Sequence, residues 1–282
     1  QVLKKATQNP DSKVIDLVLS LGKVNSDTIP ICLDELATLA PTDNKAWKLG
    51  VILSKSPKKI NLDRLLVQEI QALVQDTSGQ ASLSSLQEQL ESGADPNAFQ
   101  ARALCSAITA SQEPVVDTLF SCEKPPTAES LASALPHALR IADPMSRLTF
   151  TKSLVESGAL PLEVNRALIH AIGNLTSDVA LIGILANFAD ASDGEALALA
   201  VSKESPEVLD LLLSRVKRTT ESMDSCLEKA MKITDWTCRL NICKRLAKAG
   251  VSPPAASNAL LVRAHDGDLE LGAVRIAHGA RF

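Results

Sequence analysis

The chain has 282 residues and a net charge of −4, with 45% hydrophobic and 22% charged residues. That is the balance of an ordinary globular domain, and a mildly acidic chain has no electrostatic reason to approach nucleic acid or an anionic bilayer. Aromatics make up only 2% and tyrosine is absent, so the interior must be Leu, Val, Ile and Ala, and an aromatic-rich binding surface is disfavoured.

Taken from the start, Leu3 to Ala6 opens an apolar helix, and Asp11-Ser12 caps a second over Val14-Ile15-Asp16-Leu17-Val18-Leu19. Ser and Asp there accept bonds from free first-turn N–H groups. Residues 23–90 carry the weakest pattern. The clearest unit begins at Glu91-Ser92-Gly93-Ala94-Asp95-Pro96-Asn97, continues as Arg102-Ala103-Leu104-Cys105-Ser106-Ala107-Ile108, turns at Ser111-Gln112-Glu113-Pro114 and ends with Val115-Val116-Asp117-Thr118-Leu119-Phe120. Pro114 suits a first helical turn, where its missing N–H costs nothing. Further units start at Arg166-Ala167-Leu168, Glu195-Ala196-Leu197 and Asn258-Ala259-Leu260. Two units carry extra residues between helices, around Ala142–Arg147 and Ile233–Trp236.

One spacing runs through all of this. Leu3, Leu33, Leu66, Leu104, Leu131, Leu168, Leu197, Leu227 and Leu260 recur roughly every 27–38 residues, the interval of stacked repeats. Most have an alanine three residues on: Ala6, Ala107, Ala134, Ala171, Ala200 and Ala230. The stops share a Gly-x-x-Pro frame at Gly93–Pro96, Gly158–Pro161 and Gly250–Pro253. Glycine takes the left-handed conformation that ends a helix, and the proline prevents resumption. The pattern predicts an all-α chain of helical hairpins stacked as a solenoid.

These residues resemble the ankyrin repeat. Gly93-Ala94-Asp95-Pro96-Asn97 is similar to that family's unit ending, and Glu207-Val208-Leu209-Asp210-Leu211-Leu212-Leu213 to its second helix. The resemblance covers nearly the whole chain, as about nine degenerate units in a right-handed solenoid. The family's Thr-Pro-Leu-His is replaced by Arg102-Ala103-Leu104-Cys105 and its counterparts. Apolar packing is therefore expected to replace the hydrogen bonds that Thr and His supply between family repeats. The paths from Gly158 to Arg166 and from Gly250 to Asn258 are short, so most β-hairpin fingers should be reduced to loops. Residues 1–282 read as one array, weaker over 1–92 and clearer over 93–282, cut from a longer protein.

Catalytic signals are missing. His137, His170, His265 and His278 are far apart, and distant repeats of a solenoid do not converge. There is no P-loop or GxGxxG. Cys32, Cys105, Cys122, Cys226, Cys238 and Cys243 have no CxxC spacing and read as reduced, packed thiols in an intracellular (cytoplasmic or nuclear) protein. No apolar run spans a bilayer, and no signal peptide or lipidation motif is visible. No enzyme activity, cofactor or metal is expected.

The expected function is a protein–protein interaction scaffold, monomeric as an isolated chain, with a protein partner and neither nucleic acid nor membrane. Ankyrin proteins bind with finger tips and first-helix ends on the concave face, which implies partner contacts at Asn97, Phe99, Gln100, Arg102, Thr109, Asn174, Lys203 and His265, with Trp236 as an insertion contact. Trp47, heading a second helix, is read as core. The competing readings are a structural spacer or regulatory cover in a larger protein, and a pathogen effector or immune-receptor module.

Overall fold

The computed structural model describes residues 2–21, 28–56, 60–76, 81–190, 194–216 and 219–264. These form seventeen α-helices, with no strand among the described residues. Nine are first helices of a hairpin: α1 (Val2–Gln8), α3 (Thr28–Ala37), α5 (Asp63–Gln75), α7 (Ala98–Thr109), α9 (Ala128–Leu139), α11 (Pro161–Asn174), α13 (Glu195–Ser202), α15 (Thr220–Ala230) and α17 (Pro253–Ala264). Each carries one leucine of the period. The intervening second helices are α2 (Lys13–Leu21), α4 (Asp43–Ser54), α6 (Ser84–Glu91), α8 (Glu113–Ser121), α10 (Pro144–Glu156), α12 (Val179–Phe188), α14 (Pro206–Arg215) and α16 (Trp236–Ala249).

The chain divides into two compact units between Ile141 and Ala142. In the first, α1, α3, α5 and α7 pack successively and α7 packs on α9, while α2, α4 and α6 form a second layer. In the second, α11, α13, α15 and α17 pack in order, as do α10, α12, α14 and α16. Helix-on-helix order therefore follows chain order within each unit. Leu33, Leu66, Leu104, Leu131, Leu168, Leu197 and Leu227 are all buried, as are Ala6, Ala107, Ala134, Ala171, Ala200 and Ala230. Leu-x-x-Ala puts both on one helix face, and the small alanine lets the next first helix approach. Leu3 is half-buried; the Leu260 side chain and Gly22, His278 and Gly279 lie outside the described residues.

Local chemistry sets the helix ends. Thr42, Thr127, Asp143, Asp178, Thr219 and Asp235 each accept a backbone N–H as N-caps. Proline opens α8, α10, α11 and α14 in the first turn. Gly93 (φ 95°) and Gly158 (φ 97°) are left-handed, as the Gly-x-x-Pro frame requires. The bonds Ala94 N–H to Gln89 C=O and Ala159 N–H to Leu154 C=O close these ends. The extra residues around 142–147 and 233–236 are mostly absorbed into helix starts: α10 begins at Pro144 and α16 at Trp236.

Two expectations need correction. The seams are not purely apolar. Asp63 Oδ1 accepts the Asp95 N–H (2.8 Å), Asn97 Oδ1 accepts the Thr127 N–H (2.7 Å), and Asp224 Oδ1 accepts the Ser252 N–H (2.8 Å). Polar ties thus join successive first helices at positions outside the Thr-Pro-Leu-His counterparts, and two of them use Asp95 and Asn97 of the unit ending. Trp47 is not core: it is 44% exposed.

Candidate functional site

An open groove of about 820 Å³ crosses α5, α7 and α9 in the first unit. Gln71, Val74 and Gln75 border it from α5, and their i, i+3, i+4 spacing keeps them on one face. Arg102, Ser106 and Thr109 continue the border along α7 at i, i+4, i+7, with Cys105 beneath, and His137 closes it from α9. Phe99 and Gln100 stand at the entrance. Sequence reasoning named Phe99, Gln100, Arg102 and Thr109, and the fold brings these four together.

The groove's mouth has an unusual backbone. Phe99 (φ 53°, ψ 43°), Gln100 (φ 58°, ψ 44°) and Ala101 (φ 56°, ψ 33°) make a left-handed turn at the head of α7. No glycine relieves it, and L-residues pay about 1–2 kcal/mol each in this conformation. Neighbouring contacts hold the turn. The Ala101 N–H donates to the Asn97 carbonyl (3.2 Å), and Ala101 is fully buried. Asn97 is pinned by its own Nδ2 to Asp95 Oδ1 (3.0 Å) and by the Thr127 N–H, while Asp95 is tied to Asp63. The outcome is that Phe99 is 60% exposed in a chain with very few aromatics. The segment expected to be a finger is this left-handed turn, and Asn97 is a brace behind it rather than a groove wall.

The groove's electrostatics are one-sided. Among the described residues no carboxylate borders it, and Arg102 forms no ion pair. Thr109 Oγ1 donates to the Cys105 carbonyl (2.7 Å) and lies 3.0 Å from His137 Nδ1. With the hydroxyl proton used on Cys105, Nδ1–H is the donor to Thr109, which leaves Nε2 as an acceptor. Partial burial, aided by the charge of Arg140, holds the His137 pKa below its usual range, so the ring is neutral at neutral pH. Burial raises the Cys105 thiol, which therefore stays protonated and unreactive.

The other candidates are dispersed. Asn174 ends α11, its Nδ2 donating to the His170 carbonyl (3.2 Å), and Lys203 caps the C-terminus of α13. Both are exposed on the second unit, at the ends of packed first helices. Trp236 is the first residue of α16, following the N-cap Asp235, and is 39% exposed; it lies on a second helix, not in an insertion. His265 lies outside the described residues. Trp47 borders a separate groove of about 510 Å³ between α4 and α6, opposite Glu88 and Glu91.

Residues 23–90 supply one border of the groove, Gln71, Val74 and Gln75, although their repeat pattern is faint. Gln71 and Gln75 were missed for that reason; counting on from Leu66 to the last turn of α5 finds them. The interior of the same region holds groups that no motif announced. Lys45 and Glu69 are fully buried and paired at 2.5 Å, and Lys45 Nζ also donates to the Leu39 carbonyl (2.9 Å). Lys48, also buried, donates to the Thr7 (3.0 Å) and Asn9 (2.7 Å) carbonyls. These ammoniums satisfy carbonyls left open at the ends of α1 and α3. Burial lowers the Lys48 pKa.

Among the described residues there is no group of three or more His, Cys, Asp or Glu placed to hold a metal ion. No described helix is long and apolar enough to cross a membrane. No family model matches the chain, and no curated protein and no solved structure matches it.

Proposed function

We propose that the chain is a non-enzymatic, ankyrin-like helical-hairpin solenoid that binds a protein partner through the surface made by its first helices. The observation that carries this reading is the groove across α5, α7 and α9, with Phe99 exposed on a left-handed turn that its surroundings hold in place. Backbone strain of this kind persists only where neighbours over-determine it, and it concentrates at ligand clamps. An exposed aromatic on a rigid support loses little freedom on binding and suits an anchor. The regular pairing of first and second helices supports the ankyrin-like frame, and six free cysteines support the intracellular setting.

Site-specific photo-crosslinking tests it. A benzophenone side chain replaces Phe99, Thr109, Asn174 or Lys203, and in controls Asp117, which is exposed on α8. Asp210 is a poorer control because it holds Arg245 on α16 at 2.8 Å. In cells, Phe99 and Thr109 should capture one identifiable protein that Asp117 does not. Capture from Asp117 alone would place binding on the second helices and end the proposal.

A further inference from the structure

We propose that the groove across α5, α7 and α9 takes an extended, acidic peptide segment of the partner, about six residues long, with an apolar residue seated against Phe99. The inference rests on the binding function proposed above and names the chemistry of its ligand.

Length follows from geometry. Three adjacent helices spaced about 8–10 Å apart span about 16–20 Å, and an extended chain rises about 3.3 Å per residue. Backbone recognition follows from the amides. Gln71, Gln75 and Gln100 all border the groove, and none of the three side-chain amides is engaged by a described residue. Each offers a donor and an acceptor, the same pair that every peptide group presents. His137 Nε2 adds one acceptor for an N–H. A helical ligand satisfies its own peptide groups and has no use for this set, whereas an extended strand leaves them open.

Charge follows from Arg102. Its guanidinium is exposed on the groove border, has no ionic partner among the described residues, and faces no carboxylate in the lining. A guanidinium pairs with a carboxylate through two parallel hydrogen bonds. Phe99 and Val74 supply the apolar ground between the polar groups. In an extended chain alternate side chains face the same way, so apolar and acidic residues in alternation meet these two features in turn.

The test uses the full 282-residue chain and three fluorescein-labelled ten-residue peptides read by anisotropy: leucine alternating with glutamate, with glutamine and with lysine. A single-stranded oligonucleotide is the fourth probe. The glutamate peptide should bind at least tenfold more tightly than the glutamine peptide, and more weakly as salt rises. Arg102→Gln should erase that preference while leaving the glutamine peptide unchanged. Phe99→Ala should weaken both about tenfold, N-methylation of alternate peptide nitrogens should do the same, and Asp117→Ala should do nothing. Circular dichroism melts confirm that each variant is folded. Absence of saturable binding by the glutamate peptide, preference for the lysine peptide or the oligonucleotide, or a preference that survives Arg102→Gln overturns the inference. If the glutamine or lysine peptide binds best yet is lost with Phe99→Ala, the acidic class is wrong and the groove remains a binding surface. Glutamate-peptide binding indifferent to both substitutions places the site elsewhere and defeats both readings.

Discussion

The two units solve the same problem with different cations. Both stack first helices on Leu-x-x-Ala faces, and both must hold neighbouring helices in register. The first unit does so from inside: Lys45 pairs with Glu69 at 1% and 0% side-chain exposure, and Lys48 reaches the Thr7 and Asn9 carbonyls at the end of α1. The second unit uses arginines along its second helices. Arg147 on α10 pairs with the N-cap Asp178 of α12 (2.9 Å), Arg215 on α14 donates to the Gly183 carbonyl of α12 (2.5 Å), and Arg245 on α16 pairs with Asp210 of α14 (2.8 Å). These grade from nearly buried to half-exposed. A guanidinium carries its hydration lightly and reaches across a surface, whereas an ammonium can be threaded into a narrow gap on a thin stem. Burial therefore decides what each contact is worth.

The largest effect should come from breaking the interior pair. Lys45→Met leaves the Glu69 carboxyl buried and without its cationic partner, and should cost about 3–5 kcal/mol. The double substitution Lys45→Met with Glu69→Leu should recover most of that loss, because removing both charges removes their desolvation cost. The chain has two tryptophans, Trp47 in the first unit and Trp236 in the second, so Trp47→Phe and Trp236→Phe backgrounds report urea unfolding of each unit separately. A double variant no better than the single would show that the pair, not its desolvation, holds α4 to α5.

The seam leucines should behave alike in both units. Leu66→Ala and Leu197→Ala remove fully buried side chains at equivalent positions and should each cost about 2–5 kcal/mol. A large difference between them, read by the same fluorescence, would mean that the interior charges of the first unit alter how well its seams close around a cavity.

That contrast also explains what the amino-acid sequence discloses. The leucine period places all nine first helices, because a buried face repeated at fixed spacing is a strong signal. The same period marks Thr109 by counting on from Leu104, and Arg102 by its place two residues before that leucine. The left-handed turn is silent in the sequence, since Phe99, Gln100 and Ala101 have no intrinsic leaning toward positive φ; the turn is held by Asn97, and its approach is braced by Asp63 and Thr127 from neighbouring repeats. Lys45, Lys48 and Glu69 belong to no motif, and nothing in the sequence marks them as interior, because charge normally means surface. They lie where the repeat pattern is faintest, between residues 23 and 90, and Glu69 stands three residues after Leu66, at the place that alanine holds after most of the other period leucines. Trp47 misled for the opposite reason: a large aromatic in a helix is usually core, and here it borders the α4–α6 groove.

A smaller effect separates the units by pH. Burial raises the Cys226 thiol, fully buried on α15, from 9.0 to about 11. The unfolded thiol ionises first, so the folded state keeps its full advantage below pH 9 and loses it as pH climbs toward 11. At about 1.4 kcal/mol per pH unit, the ceiling is about 2–3 kcal/mol. Urea melts of the second unit between pH 8 and 10.5 should show stability falling, and Cys226→Ala should flatten that slope. An unchanged slope in the variant would assign the alkaline loss to other groups.

The smallest effect should be at Arg245. Its Nε lies 2.8 Å from Asp210 Oδ2, but the two side chains are 27% and 54% exposed. Water competes for both groups, and two long side chains lose freedom to meet, so exposed pairs contribute from nothing to about 1 kcal/mol. Arg245→Gln keeps part of the stem that packs along the helix and removes the charge. It should therefore cost less than about 1 kcal/mol, and the difference should vanish in 1 M salt, where the screening length is about 3 Å. The interior pair of the first unit lies out of reach of the solvent ions, so the cost of Lys45→Met should persist at that salt concentration. Equal costs for Lys45→Met and Arg245→Gln, or equal salt sensitivity, would break the grading by burial and make the second-helix arginines the principal restraint on register in the second unit.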